Sequence, residues 1–506
     1  MNLFTQHVGK INKSAILIVS AGFFMYVALR AYFLSFTIDE ISSFEHLETF
    51  SLATISLSAN YHLLNLFLMK FCSQLFGGSE FALRLPNVLA FLLYLIFAVK
   101  INRNLQLPFK FSALILLTCN PFLLDFFSLA RGYGLSLGFM LPSLYFLLQY
   151  VNGKKFYAAV ISLLFAWLAL LSNFTLLNYT IPLVGILLLT LWMSSNLLKQ
   201  KLWYSIILLI ISACAIAPVV QILFRLKDHG ELYFGGNVSI AANTIGSLAR
   251  CFAYFSVYRI IAKYLFIGVF WTALIFSALS VMLFIKRRQL TTTTALSFLL
   301  VCGIAMPIIQ HLVFHTLYPV ERAAIMYCPL VVLALFQPGG AWKFKSVKWI
   351  HCSLLLLLCV HFFLTMNFTH SYSWRYDSGT KKAFTYLKNT VVENKVIGVD
   401  DIHIISATYY LHTLNASQLR IQSLGGYWKF KLGCEELNPN YYGMAETNKI
   451  STPINMNEML YDYIDYYYFD QYFLDRMKKE GIAYRVIEAY PFSRSALIEL
   501  PHRGNN

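Results

Sequence analysis

Long apolar stretches separated by short polar segments dominate the first 366 residues of the chain. An apolar stretch of about 20 residues is long enough to cross a bilayer as an α-helix. The pattern therefore predicts an α-helical, polytopic membrane protein with about 11 transmembrane helices. The predicted spans, several of them short, are Ala15–Phe36, Phe81–Val99, Phe111–Phe127, Tyr133–Val151, Phe156–Leu171, Leu176–Met193, Leu202–Phe224, Tyr264–Ile285, Ala295–Phe314, Ala323–Phe336 and Trp349–Met366.

The pattern changes after residue 366. Residues 367–506 show the periodicities of a soluble domain, so we divide the chain into a membrane module, 1–366, and a small C-terminal α/β domain, 367–506. Six tyrosines of this domain are predicted to pack at the membrane interface, where amphipathic rings are enriched, and stacking on sugars is the alternative. They are Tyr461, Tyr463, Tyr466, Tyr467, Tyr468 and Tyr472. The predicted elements are helices near Lys381–Asn394 and Ser406–Leu414, and strands near Lys395–Asp400, Tyr484–Glu488 and Ser495–Leu500.

Composition and charge agree with a membrane location. The 506 residues are 58% hydrophobic and 13% charged, with a formal net charge of +16. The basic residues lie between apolar spans without any nucleic-acid-binding motif, so anionic lipid and membrane topology explain them better than nucleic acid does. The nine cysteines form no CxxC motif and no His/Cys cluster, which argues against a disulfide framework or a zinc site.

The placement of charge predicts the orientation in the membrane. Six segments between alternate spans carry Lys or Arg and no acidic residue, beginning with Lys10 and Lys13, which marks them as cytoplasmic. All nine acidic residues before position 367 then fall on the other side. We therefore expect a cytoplasmic N-terminus on a retained first span, with outer loops 37–80 and 225–263 and the C-terminal domain extracytoplasmic. A helix near Leu63–Leu75 in the first outer loop has the pattern of one lying in the membrane interface.

Two adjacent carboxylates, Asp39 and Glu40, directly follow the first span. A carboxylate placed beside lipid can serve as a general base, although the start of a solvated loop would also place charges there. His62 could hold a substrate hydroxyl or orient a carboxylate, and equally it could be an ordinary hydrogen-bonded residue. Metal ligation by His62 would need partner ligands that the sequence does not offer.

Arginines at outer helix ends and in outer loops could bind a phosphate group or, alternatively, lipid headgroups. The candidates for phosphate are Arg84, Arg131 and Arg322, with Arg250 and Arg259 in the second outer loop. Arg30 lies deeper in the first span, where an unpaired charge costs about 2.5–3.5 kcal/mol or more. We expect Arg30 to pair with an acidic residue.

Several of these residues occur in an order that resembles the GT-C superfamily of membrane glycosyltransferases, in particular protein O-mannosyltransferases and lipid A aminoarabinose transferases. The resemblance is strongest over residues 15–200, extends to 366 through Tyr318–Arg322, and is absent from the tail. His62-Leu63-Leu64 departs from the His-Pro-Pro of many relatives, which leaves the class of acceptor open. The matching motifs are Asp39-Glu40, Asn60-Tyr61-His62, Ser79-Glu80-Phe81-Ala82-Leu83-Arg84-Leu85-Pro86, Asn120-Pro121-Phe122 and Ala130-Arg131-Gly132-Tyr133.

The resemblance implies a glycosyltransferase of the bacterial inner or plasma membrane. Its donor would be a polyprenyl-phosphate-linked sugar, its acceptor a hydroxyl of an envelope lipid, glycan or protein, and the displacement would be inverting. Asp39, beside Glu40, would assist the acceptor, and Arg84 and Arg131 would stabilise the departing phosphate without a metal ion or other cofactor. The alternatives are a transporter or flippase of lipid-linked sugars and a non-enzymatic envelope assembly protein.

Overall fold

The computed structural model describes residues 2–47, 58–102, 109–336, 345–400, 403–424 and 464–500. Helices dominate the described residues before position 367. The α-helices are Asn2–Phe33, Ile38–Glu45, Leu63–Phe76, Glu80–Ile101, Phe109–Thr118, Pro121–Phe127, Gly132–Gly153, Phe156–Ser172, Leu177–Trp192, Leu198–Asp228, Gly246–Ala253, Arg259–Arg287, Thr292–Phe314, Tyr327–Phe336, Lys345–Thr365, Thr380–Thr390, Ile404–Thr413 and Gln471–Lys479.

Within these described ranges, 7 helices are long and apolar enough to cross a membrane, and three shorter apolar helices accompany them. The prediction of a helical, polytopic membrane protein is confirmed. The count of about eleven crossings remains a prediction. The seven long segments are Ser14–Phe33, Glu80–Ile101, Gly132–Gly153, Phe174–Trp192, Leu198–Asp228, Arg259–Arg287 and Thr292–Phe314.

The apolar stretch predicted as the single span Phe111–Phe127 is two helices, Phe109–Thr118 and Pro121–Phe127. The break comes at Asn120-Pro121, because proline lacks the N–H that a continuing helix needs but fits the first turn of a new one. The Asn120 side chain accepts a hydrogen bond from the Leu123 N–H at 3.2 Å and caps the second helix.

The chain forms two compact units. The first, called here the membrane unit, comprises Met1–Tyr32 and Thr49–Met366; the second, called the tail unit, comprises Phe33–Glu48 and Asn367–Asn506. The segment Phe33–Glu48, expected in the membrane module, therefore belongs with the tail. Ring packing gives the reason: Tyr409 lies 5.2 Å from Phe36 and 6.2 Å from Phe44, centroid to centroid.

Hydroxyl groups join the helices at the centre of the membrane unit. Ser143 Oγ donates to the Ser162 carbonyl at 2.8 Å, and Ser162 Oγ donates to the Ser143 carbonyl at 2.8 Å. The buried Tyr179 hydroxyl donates to Ser143 Oγ at 2.8 Å. Small polar residues of this kind let helix backbones approach closely and hydrogen-bond across an apolar interface.

The tail unit contains a five-stranded sheet of β1 Lys395–Val399, β2 Leu419–Ser423, β3 Tyr466–Asp470, β4 Arg485–Tyr490 and β5 Ser495–Glu499. The strands lie in the order β2-β1-β3-β5-β4. The central strands β1 and β3 are parallel, whereas β5 runs antiparallel to both β3 and β4. The predicted β1, β4 and β5 are confirmed, as are the helices Thr380–Thr390 and Ile404–Thr413.

The sequence pattern does not predict strand β3 and the helix Gln471–Lys479, because a tyrosine-rich sequence also fits an interfacial surface. That interpretation is wrong for Tyr467 and Tyr468, which are both 0% exposed in the middle of the sheet. The Tyr468 hydroxyl shares a hydrogen bond of 2.9 Å with Ser495 Oγ. A central strand is covered on both faces, so its rings are core residues. Tyr461 and Tyr463 lie outside the described residues.

Candidate functional site

The helix Leu63–Phe76 begins directly after His62, and its two sides have different surroundings. Asn65 and Met69 are buried against the membrane unit, whereas Phe67 and Phe71 are more than half exposed. An apolar side exposed on a protein of this class suits contact with lipid. The predicted helix is confirmed, and its buried side fixes the position of His62.

A buried amide network connects this helix to the turn that carries Arg131. Asn65 Nδ2 donates to the Ala130 carbonyl at 2.8 Å, and Asn87 Nδ2 donates to Asn65 Oδ1 at 2.9 Å. Asn87 Oδ1 accepts the Leu135 N–H at 3.0 Å. Buried amides that satisfy one another in this way restrict the backbone to one arrangement.

Two glycines allow the turn to approach its neighbours closely. A Cβ added at Gly132 would lie 1.9 Å from the Ser172 carbonyl oxygen and 2.6 Å from His62 Cβ. A Cβ at Gly134 would lie 2.3 Å from the Phe126 carbonyl oxygen. Any larger residue would therefore displace backbone atoms. The motif Ala130-Arg131-Gly132-Tyr133 includes Gly132, but the resemblance gave this glycine no role in close packing. The repeated glycine of Gly132-Tyr133-Gly134 is the sequence feature that could have indicated it.

His62 is 7% exposed, and its ring lies edge-on to Tyr133 at 4.7 Å between centroids. Burial, followed by the positive charges of Arg131 and Arg322, holds the pKa of His62 well below its usual range; a hydrogen bond with the Ser172 backbone acts in the opposite direction. Among the described residues, Nε2 finds no hydrogen-bond partner. The site therefore holds a neutral imidazole with one buried ring nitrogen that has no hydrogen-bond partner among the described residues.

Two of the predicted arginines thus act at the same place as His62. Arg131 is fully buried and immediately precedes the helix Gly132–Gly153. Arg322 is only partly buried, and its guanidinium lies 4.2 Å from the centroid of the Phe234 ring. Arg322 is accordingly the cation better placed to meet a ligand, while the Arg131 charge adds to the local positive potential.

The second outer loop holds Arg322 in place. Gly236 and Tyr318 exchange backbone hydrogen bonds of 3.0 and 2.7 Å, and Ser247 Oγ accepts the Glu321 N–H at 2.8 Å. Glu321 has a positive φ of 48°, which these contacts maintain. The segment 225–263, predicted as the second outer loop, contains the helix Gly246–Ala253.

Arg84 and Arg30 make structural contacts within the membrane unit. Arg84 Nη1 donates to the Ala31 carbonyl at 3.0 Å, and the side chain is fully buried. Arg30 forms a 2.6 Å ion pair with Asp125, whose two oxygens accept the Tyr254 hydroxyl at 3.1 Å. The expected pairing of Arg30 with an acid is confirmed. A buried charge needs such a partner.

The tail unit contains Asp39 and Glu40. Glu40 is fully buried, its Oε2 accepts the Thr37 N–H at 2.9 Å, and its own N–H donates to Thr37 Oγ1 at 3.3 Å. This reciprocal arrangement is a capping box, which starts the helix Ile38–Glu45. Glu40 thus has a structural contact, whereas Asp39 is only partly buried in the first turn of that helix.

Another carboxylate of the tail unit, that of Asp377, binds the backbone next to Asp39. Its Oδ2 accepts the Ile38 N–H at 2.9 Å, and its Oδ1 accepts the Ser406 hydroxyl at 2.7 Å. Burial is the main cause that raises the pKa of Asp377 to about 7, and the negative charge of Asp39 acts in the same direction. No local sequence pattern distinguishes Asp377, since its partners are distant in the chain.

In the part of the chain that the structure describes, no group of three or more His, Cys, Asp or Glu side chains could hold a metal ion. The expectation of metal-independent chemistry remains a prediction.

No protein-family model matches the chain, and no curated protein sequence matches it either. Among solved structures, ArnT from Cupriavidus metallidurans in the apo state is similar over 96% of this chain and 98% of its own, with a TM-score of 0.50 and 11% sequence identity. The same protein bound to undecaprenyl phosphate gives a TM-score of 0.48 at 11% identity, over 96% and 97% of the two chains. The likeness to the apo structure confirms the expected architecture at the level of the fold.

Proposed function

We propose that this protein is a membrane glycosyltransferase that moves a sugar from a polyprenyl-phosphate donor to a hydroxyl of an envelope lipid, glycan or protein. The observation that carries the proposal is the close approach of the Arg131–Gly132 turn to His62 in the membrane unit, where the charges of Arg131 and Arg322 act on an imidazole with an unpartnered Nε2. The GT-C-like fold supports the same reaction class.

In such a reaction, the glycosidic bond between the anomeric carbon and the phosphate oxygen breaks, and both bonding electrons leave with polyprenyl phosphate. Cations placed beforehand stabilise the charge that develops on the departing group. Arg322, which is partly exposed, is proposed to contact the phosphate. The buried Arg131 is proposed to add positive electrostatic potential at the same position. Arg84 is the weaker of the predicted phosphate ligands because it is committed to the Ala31 carbonyl.

His62 suits a different part of the substrate. A neutral imidazole whose Nε2 has no protein partner can accept a hydrogen bond from a hydroxyl, whereas it offers no positive charge to a phosphate. We therefore assign His62 to a sugar hydroxyl of the donor. Asp39 is proposed to accept the proton of the acceptor hydroxyl as its oxygen bonds to the anomeric carbon with inversion. The proposed reaction needs no metal ion or cofactor.

Replacing Arg322 by glutamine tests the phosphate assignment. The purified variant should lose at least about tenfold in kcat/KM for a polyprenyl-phosphate sugar, because loss of one charge-stabilising donor commonly lowers rates by about 10²–10³-fold. Arg225→Gln is the matched control, since Arg225 is an exposed arginine in the last turn of the helix Leu198–Asp228. Equal rates for the two variants would contradict the assignment.

Asp39→Asn tests the base. An unchanged rate of sugar transfer by the purified variant would eliminate Asp39 from the chemistry. Mass spectrometry of envelope glycolipids and glycans with and without the protein would identify the missing sugar and acceptor together. A flippase, by contrast, would move the lipid-linked sugar without forming a new glycosidic bond.

The proposed location is the bacterial inner or plasma membrane, with the N-terminus cytoplasmic and the C-terminal domain outside. A cysteine-accessible tag at the C-terminus should be labelled from outside intact cells. Labelling from the cytoplasmic side alone would reverse the orientation.

A further inference from the structure

The segment that carries Asp39 has few means of its own to hold a fixed shape. The helix Ile38–Glu45 has only 8 residues, and isolated helices this short are unstable in water. Its capping box satisfies the Thr37 and Glu40 amides, but those contacts are internal to the segment. The orientation of Asp39 therefore depends on what the segment contacts in the rest of the tail unit.

Two side chains of the C-terminal domain bind the backbone immediately before Asp39. The Tyr410 hydroxyl accepts the Phe36 N–H at 2.6 Å, and Asp377 Oδ2 accepts the Ile38 N–H at 2.9 Å. Both acceptors are almost completely inaccessible, at 2% exposed for Tyr410 and 1% for Asp377. Alternate backbone amides are thus held by partners more than 300 residues away in the chain.

The carboxylate oxygen of Asp377 that does not bind Ile38 is also hydrogen-bonded. Ser406 Oγ donates to its Oδ1 at 2.7 Å, and Ser406 lies in the helix Ile404–Thr413 that also carries Tyr410. The other charged or titratable groups that act on Asp377 are His403, which favours its ionised form, and Asp39, which opposes it. His403 is in turn held by Asp400, Nδ1 to Oδ1, at 2.7 Å.

We propose that Asp377 is a positioning residue, which, together with Tyr410, holds the backbone around Ile38 so that Asp39 is presented in one orientation. The C-terminal domain is then a functional part of the enzyme rather than an appendage. The catalytic part of this inference rests on the proposed function of Asp39, whereas the structural part does not.

Hydrogen–deuterium exchange of the full-length protein in detergent tests the structural part. Asp377→Ala should accelerate exchange across residues 33–47 by about tenfold to hundredfold, the range expected for loss of a hydrogen bond to a carboxylate. The control is Asp465→Ala, because Asp465 also accepts a backbone N–H in this unit, that of Val396 at 2.8 Å, but does not contact the segment. Equal exchange of residues 33–47 in the two variants would overturn the proposal.

Tyr410→Phe provides a second test if Asp377→Ala fails to fold, since it deletes only the oxygen that accepts the Phe36 N–H. It should accelerate exchange at residues 33–47 and leave the β3 strand protected. Unchanged exchange of the segment would count against the proposal.

Activity measurements separate this inference from the proposed function. Asp377→Ala should lower kcat with little change in the donor KM, and the isosteric Asp377→Asn, which keeps an oxygen for Ile38, should restore most of the rate. A purely structural residue would not show this rescue with an unchanged donor KM. If Asp39→Asn is fully active, the proposed function fails while the exchange result still decides whether the segment is held.

Discussion

Replacing Asp377 by asparagine should flatten the pH dependence of the stability of the tail unit. In the folded protein, burial first of all raises the pKa of this carboxyl from 3.8 to about 7. Between these two values the folded chain keeps a proton that the unfolded chain has released, so stability falls as pH rises. Stability from this group is fully present below 3.8 and is lost as pH passes about 7.

The size of the effect follows from the same two values. A difference of one pKa unit corresponds to about 1.4 kcal/mol, so the full shift corresponds to about 4 kcal/mol. Of this, about 3 kcal/mol, or roughly a hundredfold in the unfolding equilibrium, should be lost between about pH 5 and about pH 8. Asparagine cannot ionise, and it retains an oxygen for the Ile38 N–H and a group that can hydrogen-bond Ser406.

Amide exchange in strands β1 and β3, corrected for the intrinsic effect of pH, measures the opening of this unit. From about pH 5 to about pH 8, protection in the wild type should fall about a hundredfold more than in Asp377→Asn. Asp465→Asn, whose carboxylate is partly exposed beside Lys395, should behave like the wild type. Parallel pH profiles for the wild type and Asp377→Asn would refute the assigned burial of a titrating carboxyl.

Two further predictions concern the membrane unit. Gly132→Ala should destabilise the protein by about 1–3 kcal/mol or more in thermal unfolding, because its Cβ would meet the Ser172 carbonyl; Gly185→Ala, with nothing within 4 Å of the added carbon, should be neutral or slightly stabilising. The wild type should lose stability on acidification, because the unfolded chain binds a proton at His62 more readily than the folded chain does, and His62→Gln should abolish this loss. The low pKa of folded His62 makes that loss up to about 1.4 kcal/mol per pH unit below 6.5, and equal acid sensitivity of wild type and variant would disprove it.

The candidate site was predictable to different extents in its different parts. The motif Ala130-Arg131-Gly132-Tyr133 pointed to Arg131, and in the structure the next residue, Gly132, lies against His62. The roles of Asn65 and Asn87 were not predictable, because a single asparagine in an apolar helix does not reveal which backbone it will meet. Arg84 matched a motif equally well, yet its guanidinium binds the Ala31 carbonyl. Motifs identify residues, but they do not distinguish ligand contacts from packing contacts.

The sequence by itself determined the class of protein, because the length of its apolar stretches and their separation by charge depend on the local chain alone. It also determined most helices and strands of the C-terminal domain, because the pattern of apolar and polar residues in each depends only on neighbouring positions. Only the tertiary structure decided which unit holds Asp39, for the segment 33–48 is secured by Tyr410 and Asp377. These contacts join residues more than 300 positions apart, and hydrogen bonds at that separation leave no periodic trace in the sequence. The same reason applies to the buried Tyr467 and Tyr468, whose surroundings are set by strand order.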